Sequence, residues 1–162
     1  MNILFIQTGG TIDKDYPRLI KGFAFEITVP AVKRILPRVN PVFDYTVKSV
    51  LRKDSQDITD KDRQKIVAAC MSAAADKIIV MHGTDTMIET ATALAGVQDK
   101  VIVLTGAMRP EKFSDSDAPF NIGVAVGAVQ VLRPGVYVAM NGCVYPAAKV
   151  ARNNATGQFV AK

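Results

Sequence analysis

Short runs of apolar residues alternate along this chain with longer stretches in which apolar residues recur every three or four positions. This alternation is typical of an α/β fold, in which strands form a sheet and amphipathic helices cover its faces. The runs at 78–81 and 101–104 are apolar at every position, as expected of parallel strands buried on both faces. The apolar runs predict five strands, at residues 2–7, 42–48, 77–81, 101–104 and 135–140.

Four other stretches predict helices. The clearest begins at Thr59, an N-capping residue followed three positions later by Asp62, as in a capping box. Another has Pro119 in its first turn, where proline is tolerated. We therefore expect an α/β fold, with a mostly parallel sheet flanked by about four helices in three layers. The predicted helices cover residues 29–36, 59–75, 85–95 and 119–132.

The composition is that of an ordinary globular chain of 162 residues, of which 49% are hydrophobic and 22% are charged. The net charge of +5 comes from scattered lysines and arginines without interleaved aromatic residues, so we expect no nucleic-acid partner. No apolar stretch approaches the ~18 residues that span a bilayer, and no basic run opens the chain. This predicts a cytoplasmic location and no membrane partner. The two cysteines, Cys70 and Cys143, lack metal-ligand spacing and are expected to be buried.

Two of the predicted strands end in small turns that carry hydroxyl groups. The strand at 2–7 leads into Gly10 and Thr11, and the strand at 77–81 leads into Gly83 and Thr84. Because open α/β sheets bind ligands at the carboxyl ends of their strands, we expect the two threonines to lie side by side there. Both turns lack the lysine and the longer glycine spacing of phosphate-binding loops, so a phosphate site is not expected.

A threonine becomes a nucleophile only when another group removes its proton. The only histidine, His82, lies at a strand end and is expected to anchor its turn, which leaves a tyrosine or a neutral lysine as the base. Asp85 opens a predicted helix, whose backbone amides keep a carboxylate ionised, so it could hold a substrate ammonium group. Simple helix capping by Thr84 and Asp85 is an equal alternative.

Two further strand ends have a similar composition. Ser55, Gln56 and Asp57 lie between a predicted strand and the next predicted helix, where a simple turn is the alternative. Gly106, after the strand at 101–104, lets the backbone approach another segment closely. Each signal is weak alone, but their agreement at one edge of the sheet indicates a ligand site.

These segments resemble, in order and across almost the whole chain, those of the bacterial-type L-asparaginases (the asparaginase/glutaminase family). Residues 8–12, Thr-Gly-Gly-Thr-Ile, and residues 82–87, His-Gly-Thr-Asp-Thr-Met, are similar to the family's two threonine motifs. Residues 55–57 are similar to its substrate-holding segment, and residues 106–110 and 117–121 resemble the next one. The resemblance implies the fold of the family's N-terminal domain, no metal or organic cofactor, and L-asparagine as substrate, with L-glutamine as an open second substrate.

The resemblance also implies a role for each matching residue. Thr11 attacks the side-chain amide carbon of asparagine, ammonia leaves, and water resolves the acyl-enzyme to aspartate. Thr84, Asp85 and a basic residue form a second triad that activates the nucleophile or the water. Ser55, Gln56 and Asp85 hold the α-carboxylate and the α-amino group. The site is lined, and the oxyanion stabilised, by the backbone around Gly10, Gly83, Thr84 and Ala107.

The sequence departs from the family pattern at two of these functional positions. The position of the family's lid tyrosine is Gly22 here, within a polar loop at 13–25, and Tyr16 is the nearest tyrosine that could orient the nucleophile. The position of the triad lysine is Arg152, with Lys149 three residues before it. Because arginine stays protonated in proteins, it could support the triad's carboxylate but could not act as a base, and Lys149 is the alternative.

Family members are about twice as long as this chain, and their second domain, from a neighbouring subunit, closes the active site. We expect residues 1–162 to form a single N-terminal-type domain without the second one, and a homo-oligomer, a dimer or tetramer, to shelter the site. Two other functions stay open. One is a non-catalytic amino-acid-binding module, and the other is a subunit that supplies ammonia to an amidotransferase.

Overall fold

The computed structural model of the protein describes residues 1–17 and 25–162, which form ten strands and four α-helices. The strands are β1 (Asn2–Gly9), β2 (Lys14–Asp15), β3 (Glu26–Ile27), β4 (Asp44–Lys53), β5 (Lys77–Met81), β6 (Val101–Thr105), β7 (Gly135–Met140), β8 (Cys143–Pro146), β9 (Val150–Arg152) and β10 (Phe159–Ala161). The helices are α1 (Val32–Val39), α2 (Asp60–Met71), α3 (Met87–Ala93) and α4 (Ala118–Val131). Short 3₁₀ turns cover Thr11–Asp13, Ser55–Asp57, Leu94–Gly96 and Ala147–Lys149.

Six strands form the central sheet in the order β4-β1-β5-β6-β7-β8. The first five are parallel, and β8 pairs antiparallel with β7 at one edge. The predicted mostly parallel sheet with four helices is therefore confirmed. In this order the carboxyl ends of β1, β5 and β6 are neighbours, so the turns that follow these three strands meet at one edge.

Helices cover both faces of the sheet. On one face α2 and α3 pack through Ile66, Cys70 and Met87, and on the other α1 and α4 pack through Ile35 and Ile122. Burial of each large apolar side chain contributes roughly 1.5–3 kcal/mol, so these two layers hold the strand ends in place. None of the helices seen in the described residues has the length and apolarity that a bilayer crossing requires.

Three of the predicted helices have boundaries that are wrong by a few residues. Helix α1 runs from Val32 to Val39 and continues through Pro37 near its C-terminal end. Helix α2 ends at Met71, before the residues that lead into β5. Helix α3 begins at Met87, so Asp85 precedes the helix and does not open it.

The sequence pattern did not predict the short strands outside the main parallel set. Strand β8 turns back onto β7, and β9 and β10 form a hairpin that adds Val150 and Phe159 to the core beside α2 and α3. Strands β9 and β10 have three residues each, which is too short for an alternating pattern, and β8 has only four. The expected burial is confirmed for Cys70 and wrong for Cys143, which is exposed because β8 lies at the sheet edge.

Candidate active site

The turns after β1 and β5 touch each other through two glycines. A Cβ atom placed on Gly10 would lie 2.3 Å from both Cα and N of Gly83, and one placed on Gly83 would lie 2.6 Å from the Ser55 hydroxyl oxygen. Gly10 also has a φ of 82°, which favours glycine. Thr11 directly follows the first glycine and is half-buried, and Thr84 follows the second and is 8% exposed. The glycine contact therefore brings the two threonine-bearing turns together.

The turn after β6 meets the same place from the other side of β5. A Cβ atom on Gly106 would lie 2.3 Å from the carbonyl oxygen of His82, and the next residue, Ala107, is buried. Near these strand ends, the Thr8 hydroxyl donates a 2.8 Å hydrogen bond to a carbonyl group of β5. The Thr105 hydroxyl donates a 2.8 Å hydrogen bond to a carbonyl group of β7. These bonds fix the strand ends that carry the turns.

His82 is a structural residue of the turn after β5. Its ring is fully buried, with Nδ1 2.7 Å from the carbonyl oxygen of Gly83 and Nε2 2.8 Å from the Thr90 hydroxyl. Because a carbonyl oxygen only accepts hydrogen bonds, Nδ1 carries the proton and Nε2 accepts from Thr90. Burial lowers the pKa of His82 to about 4, so the ring is neutral at neutral pH. Both ring nitrogens are engaged, which leaves neither available as a general base.

The 3₁₀ turn at 55–57 contacts the turn after β5. Ser55 is 1% exposed beneath Gly83, and its carbonyl oxygen accepts a 2.7 Å hydrogen bond from the Thr86 hydroxyl. The side-chain amide of Gln56 donates to Oδ2 of Asp85 at 2.8 Å. Thr86, the residue before α3, makes no side-chain cap there, because its hydroxyl bonds to the 3₁₀ turn. The structure thus brings the candidate residues at 55 and 56 onto the second threonine motif.

Asp85 also forms an ion pair with Arg152. Nη1 of the arginine is 2.5 Å from Oδ1 of the aspartate, and the two side chains are 26% and 39% exposed. Strand β9 positions the arginine, whose Nε donates to the carbonyl oxygen of Gly157 at 3.4 Å. The guanidinium of Arg152, followed by the amide of Gln56, holds the pKa of Asp85 below its usual range, so this carboxylate is ionised.

A second ion pair, which the sequence did not predict, lies beside the first. Nζ of Lys14 is 2.5 Å from Oδ2 of Asp54, and the hydrogen bond from this lysine lowers the pKa of the aspartate. Oδ1 of Asp54 accepts a 3.2 Å hydrogen bond from the backbone N–H of Gln56. Gln56 therefore joins the two ion pairs, one through its backbone and the other through its side chain. No local pattern could reveal a pair separated by 40 positions.

Tyr16 and Lys149, the two remaining candidate side chains, lie at exposed positions. Tyr16 is 68% exposed, and its ring packs against Phe25 and Phe113 with centroid distances of 5.0 and 6.4 Å. Lys149 is exposed at the end of a 3₁₀ turn, whereas Arg152, three residues later, reaches Asp85. The predicted loop at 13–25 is described only in part, and Gly22 lies outside the described residues.

The arrangement brings together several of the groups that amide hydrolysis by a hydroxyl nucleophile uses. Two hydroxyl-bearing turns lie together, and an ionised carboxylate stands beside them with further hydrogen-bonding capacity for a substrate ammonium group. Backbone N–H groups in glycine turns can stabilise a developing oxyanion. The arginine beside the carboxylate keeps its charge, so it can hold Asp85 in place but cannot accept a proton.

A protein-family model described as "Asparaginase, N-terminal" matches residues 2–159 of the chain. The chain is 31% identical to the glutaminase-asparaginase of Acinetobacter glutaminasificans, over 99% of its own length and 53% of that protein. It is also 34% identical to one of the subunits of the glutamyl-tRNA(Gln) amidotransferase of Methanococcus maripaludis, over 87% of its own length and 35% of that protein.

Among solved structures, the thermostable L-asparaginase from Thermococcus kodakarensis is similar, with a TM-score of 0.87 and 28% sequence identity. The similarity covers 99% of this chain and 51% of that one. The chain thus spans about half the length, or less, of these relatives.

Proposed function

The chain belongs to the asparaginase family, and from this premise we propose that it hydrolyses the side-chain amide of free L-asparagine to L-aspartate and ammonia. The observation that supports the proposal most is the contact between Gly10 and Gly83, which joins the two threonine-bearing turns. Thr11, in the more accessible of the two turns, is the proposed nucleophile.

The proposed reaction has two steps. Oγ1 of Thr11 attacks the amide carbon, the C–N bond breaks, and the threonine proton leaves with the amide nitrogen as ammonia. Water then attacks the ester, a water proton returns to Oγ1 of Thr11, and aspartate is released. Backbone N–H groups around Thr84 and Ala107 stabilise the negative charge that develops on the substrate oxygen in both steps.

Substrate binding in this proposal uses the residues that surround the glycine contact. Asp85 holds the α-ammonium group, and Ser55 and Gln56 hold the α-carboxylate. Fixing both charged groups places the amide carbon beside the nucleophile, an effect that can supply several kcal/mol of the barrier reduction. L-Glutamine stays an open second substrate, because one additional methylene changes binding by only ~1–3 kcal/mol.

The second triad is proposed to consist of Thr84, Asp85 and Arg152, with the arginine supporting the carboxylate electrostatically. Lys149 stays the alternative base, and Tyr16 the candidate for orienting the nucleophile. We also propose that residues 1–162 act as one domain in a homo-oligomer, a dimer or tetramer, because a symmetric partner would shelter an open site at the sheet edge. A cytoplasmic location stays a prediction.

A second candidate function is the supply of ammonia to an amidotransferase. The similarity to the glutamyl-tRNA(Gln) amidotransferase subunit of Methanococcus maripaludis supports it, since this similarity extends over 87% of the chain. In that case the isolated chain would release little ammonia and would gain activity from a partner protein.

Ammonia release tests the proposal. The wild-type chain is incubated with L-asparagine, and Thr11→Ala serves as the control. We expect ammonia and aspartate in equal amounts from the wild type and none above background from the variant, with melting temperatures within a few degrees. Tight asparagine binding without ammonia would instead indicate a binding module, and activity that appears only with a partner protein would indicate the amidotransferase subunit.

A further inference from the structure

A series of buried polar contacts lies beneath the Thr11 turn and has no role in the reaction proposed above. Gln7 and Asp13 are both 0% exposed. The side-chain amide of Gln7 donates to Oδ2 of Asp13 at 2.9 Å and to the carbonyl oxygen of Thr28 at 2.8 Å. The Gln7 side-chain oxygen accepts a 2.8 Å hydrogen bond from the Ser49 hydroxyl. Polar groups from β4, the 3₁₀ turn after β1 and the segment before α1 therefore meet at the side-chain amide of Gln7, which donates to the Asp13 carboxylate.

Asp13 is the last residue of the 3₁₀ turn that begins at Thr11. Its N–H donates to the carbonyl oxygen of Gly10 at 3.2 Å, and its carbonyl oxygen accepts from the N–H of Thr28 at 2.9 Å. Its Oδ1 accepts a 2.7 Å hydrogen bond from the N–H of Ala31. The turn that carries the proposed nucleophile is thus fixed at its downstream end through the backbone and side chain of one residue.

We propose that Asp13 is a positioning residue that holds the Thr11 turn, and with it the nucleophile's hydroxyl, in the orientation needed for attack. The catalytic part of this inference rests on the proposed function. Asp13 itself does not touch the substrate. It acts through the 3₁₀ turn and through the contacts of Gly10.

The charge of Asp13 determines which way the Gln7 amide points. An ionised carboxylate only accepts hydrogen bonds, so the NH₂ group of Gln7 faces it. The same NH₂ group also donates to the carbonyl oxygen of Thr28. A protonated or amidated side chain at position 13 would present a donor to that NH₂ group. If the Gln7 amide then rotated to accept, its oxygen would face the carbonyl oxygen of Thr28, and this buried contact would be lost.

Burial places the titration of Asp13 in an accessible range, and two charged groups of opposite sign lie nearby. Arg34 on α1 and Glu111 in the loop after β6 face it, and they pair with each other at 2.5 Å, with Arg38 3.2 Å from the same carboxylate. Burial raises the pKa of Asp13 to about 6, against the opposing effect of its hydrogen bonds to Ala31 and Gln7. Protonation below pH ~6 should therefore release the turn.

The test compares Asp13→Asn with the wild type in the full chain. Ammonia release is measured from about pH 5 to 8, and the backbone amide resonance of Thr11 is followed by NMR over the same range. At pH ~8 we expect the variant's kcat to fall tenfold or more with KM changed less than about threefold, since a displacement of about 1 Å can cost 10²-fold in rate. The wild-type amide resonance should shift with a midpoint near pH 6, and the variant's should not.

Asp62→Asn is the matched control, because it makes the same chemical change in a buried carboxylate that caps α2. We expect it to lower the melting temperature and to leave kcat and the Thr11 resonance unchanged. If Asp13→Asn keeps its kcat and its Thr11 resonance still titrates near pH 6, the inference is overturned. If the wild type releases no ammonia, the proposed function fails, and the NMR titration alone decides whether Asp13 holds the turn.

Discussion

Arg152 and Asp85 form an ion pair that joins the hairpin of β9 and β10 to the turn after β5, with Nη1 2.5 Å from Oδ1. The other oxygen of Asp85 accepts from Gln56, so the carboxylate is held on both sides. Because arginine stays protonated over the accessible pH range, the pair fixes the orientation and charge of the carboxylate and does not move a proton.

Removal of the arginine should therefore impair activity more than removal of the nearby lysine. We expect Arg152→Met to lower kcat/KM at least tenfold, equivalent to about 1.4 kcal/mol, because Asp85 loses a charge-assisted hydrogen bond. Lys149→Met should change kcat/KM less than about threefold. Steady-state ammonia release from both variants makes the comparison. A larger loss in Lys149→Met would show that the lysine completes the triad.

Close contact of two turns predicts a severe effect from one added methyl group. Gly10→Ala would place a Cβ atom 2.3 Å from Gly83 at a positive φ, and we expect a loss of about 3 kcal/mol or more in unfolding free energy. Gly123→Ala is the control, because a Cβ there meets nothing within 4 Å on helix α4. It should gain about 0.5–1 kcal/mol. Urea denaturation measures both, and equal stabilities would contradict the glycine contact.

The stability of the protein should depend on pH through two buried groups with opposite signs. Burial lowers the pKa of His82 to about 4, so only the unfolded chain takes up its proton near pH 6.5, and the free energy of unfolding falls as pH drops from 6.5 to about 4. Burial raises the pKa of Asp13 to about 6, so the native chain takes up that proton first, and the free energy of unfolding rises as pH drops from about 6 to 3.8.

Substitution of one group should separate the two effects. Asp13→Asn removes the opposing contribution and leaves His82 intact, so the variant should lose stability more steeply than the wild type as pH falls from about 6 to 4. Urea denaturation at several pH values gives the slopes. Parallel slopes for the two proteins would show that Asp13 does not titrate in this range.

Local pattern was sufficient for the elements with a long or fully buried run. Strand β5 was predicted at its observed bounds, because residues 78–81 are apolar at every position. The glycine turns could be predicted as well, since Gly10 and Gly83 each lie within four residues of the end of such a run. The contacts that complete the site could not be predicted in this way. The bonds between Gln7 and Asp13, and between Lys14 and Asp54, depend on how separate elements pack in three dimensions.

The role of Arg152 could be predicted only in part from the sequence. The family resemblance placed it in the triad position, but its strand is three residues long and has no recognisable pattern. The packing of Val150 and Phe159 into the core beside α2 and α3 helps to fix the hairpin that carries Arg152 to Asp85. Side chains delivered by short strands are therefore the part of this site that sequence patterns predict least well.

Interception of the acyl-enzyme would decide whether Thr11 is the nucleophile. The wild type and Thr11→Val, which keeps the branched side chain and removes the hydroxyl, are each incubated with L-asparagine and hydroxylamine. We predict that the wild type releases ammonia and forms the aspartyl hydroxamate, and that Thr11→Val does neither. Ammonia release by Thr11→Val at the wild-type rate would contradict the assignment of Thr11 as the nucleophile.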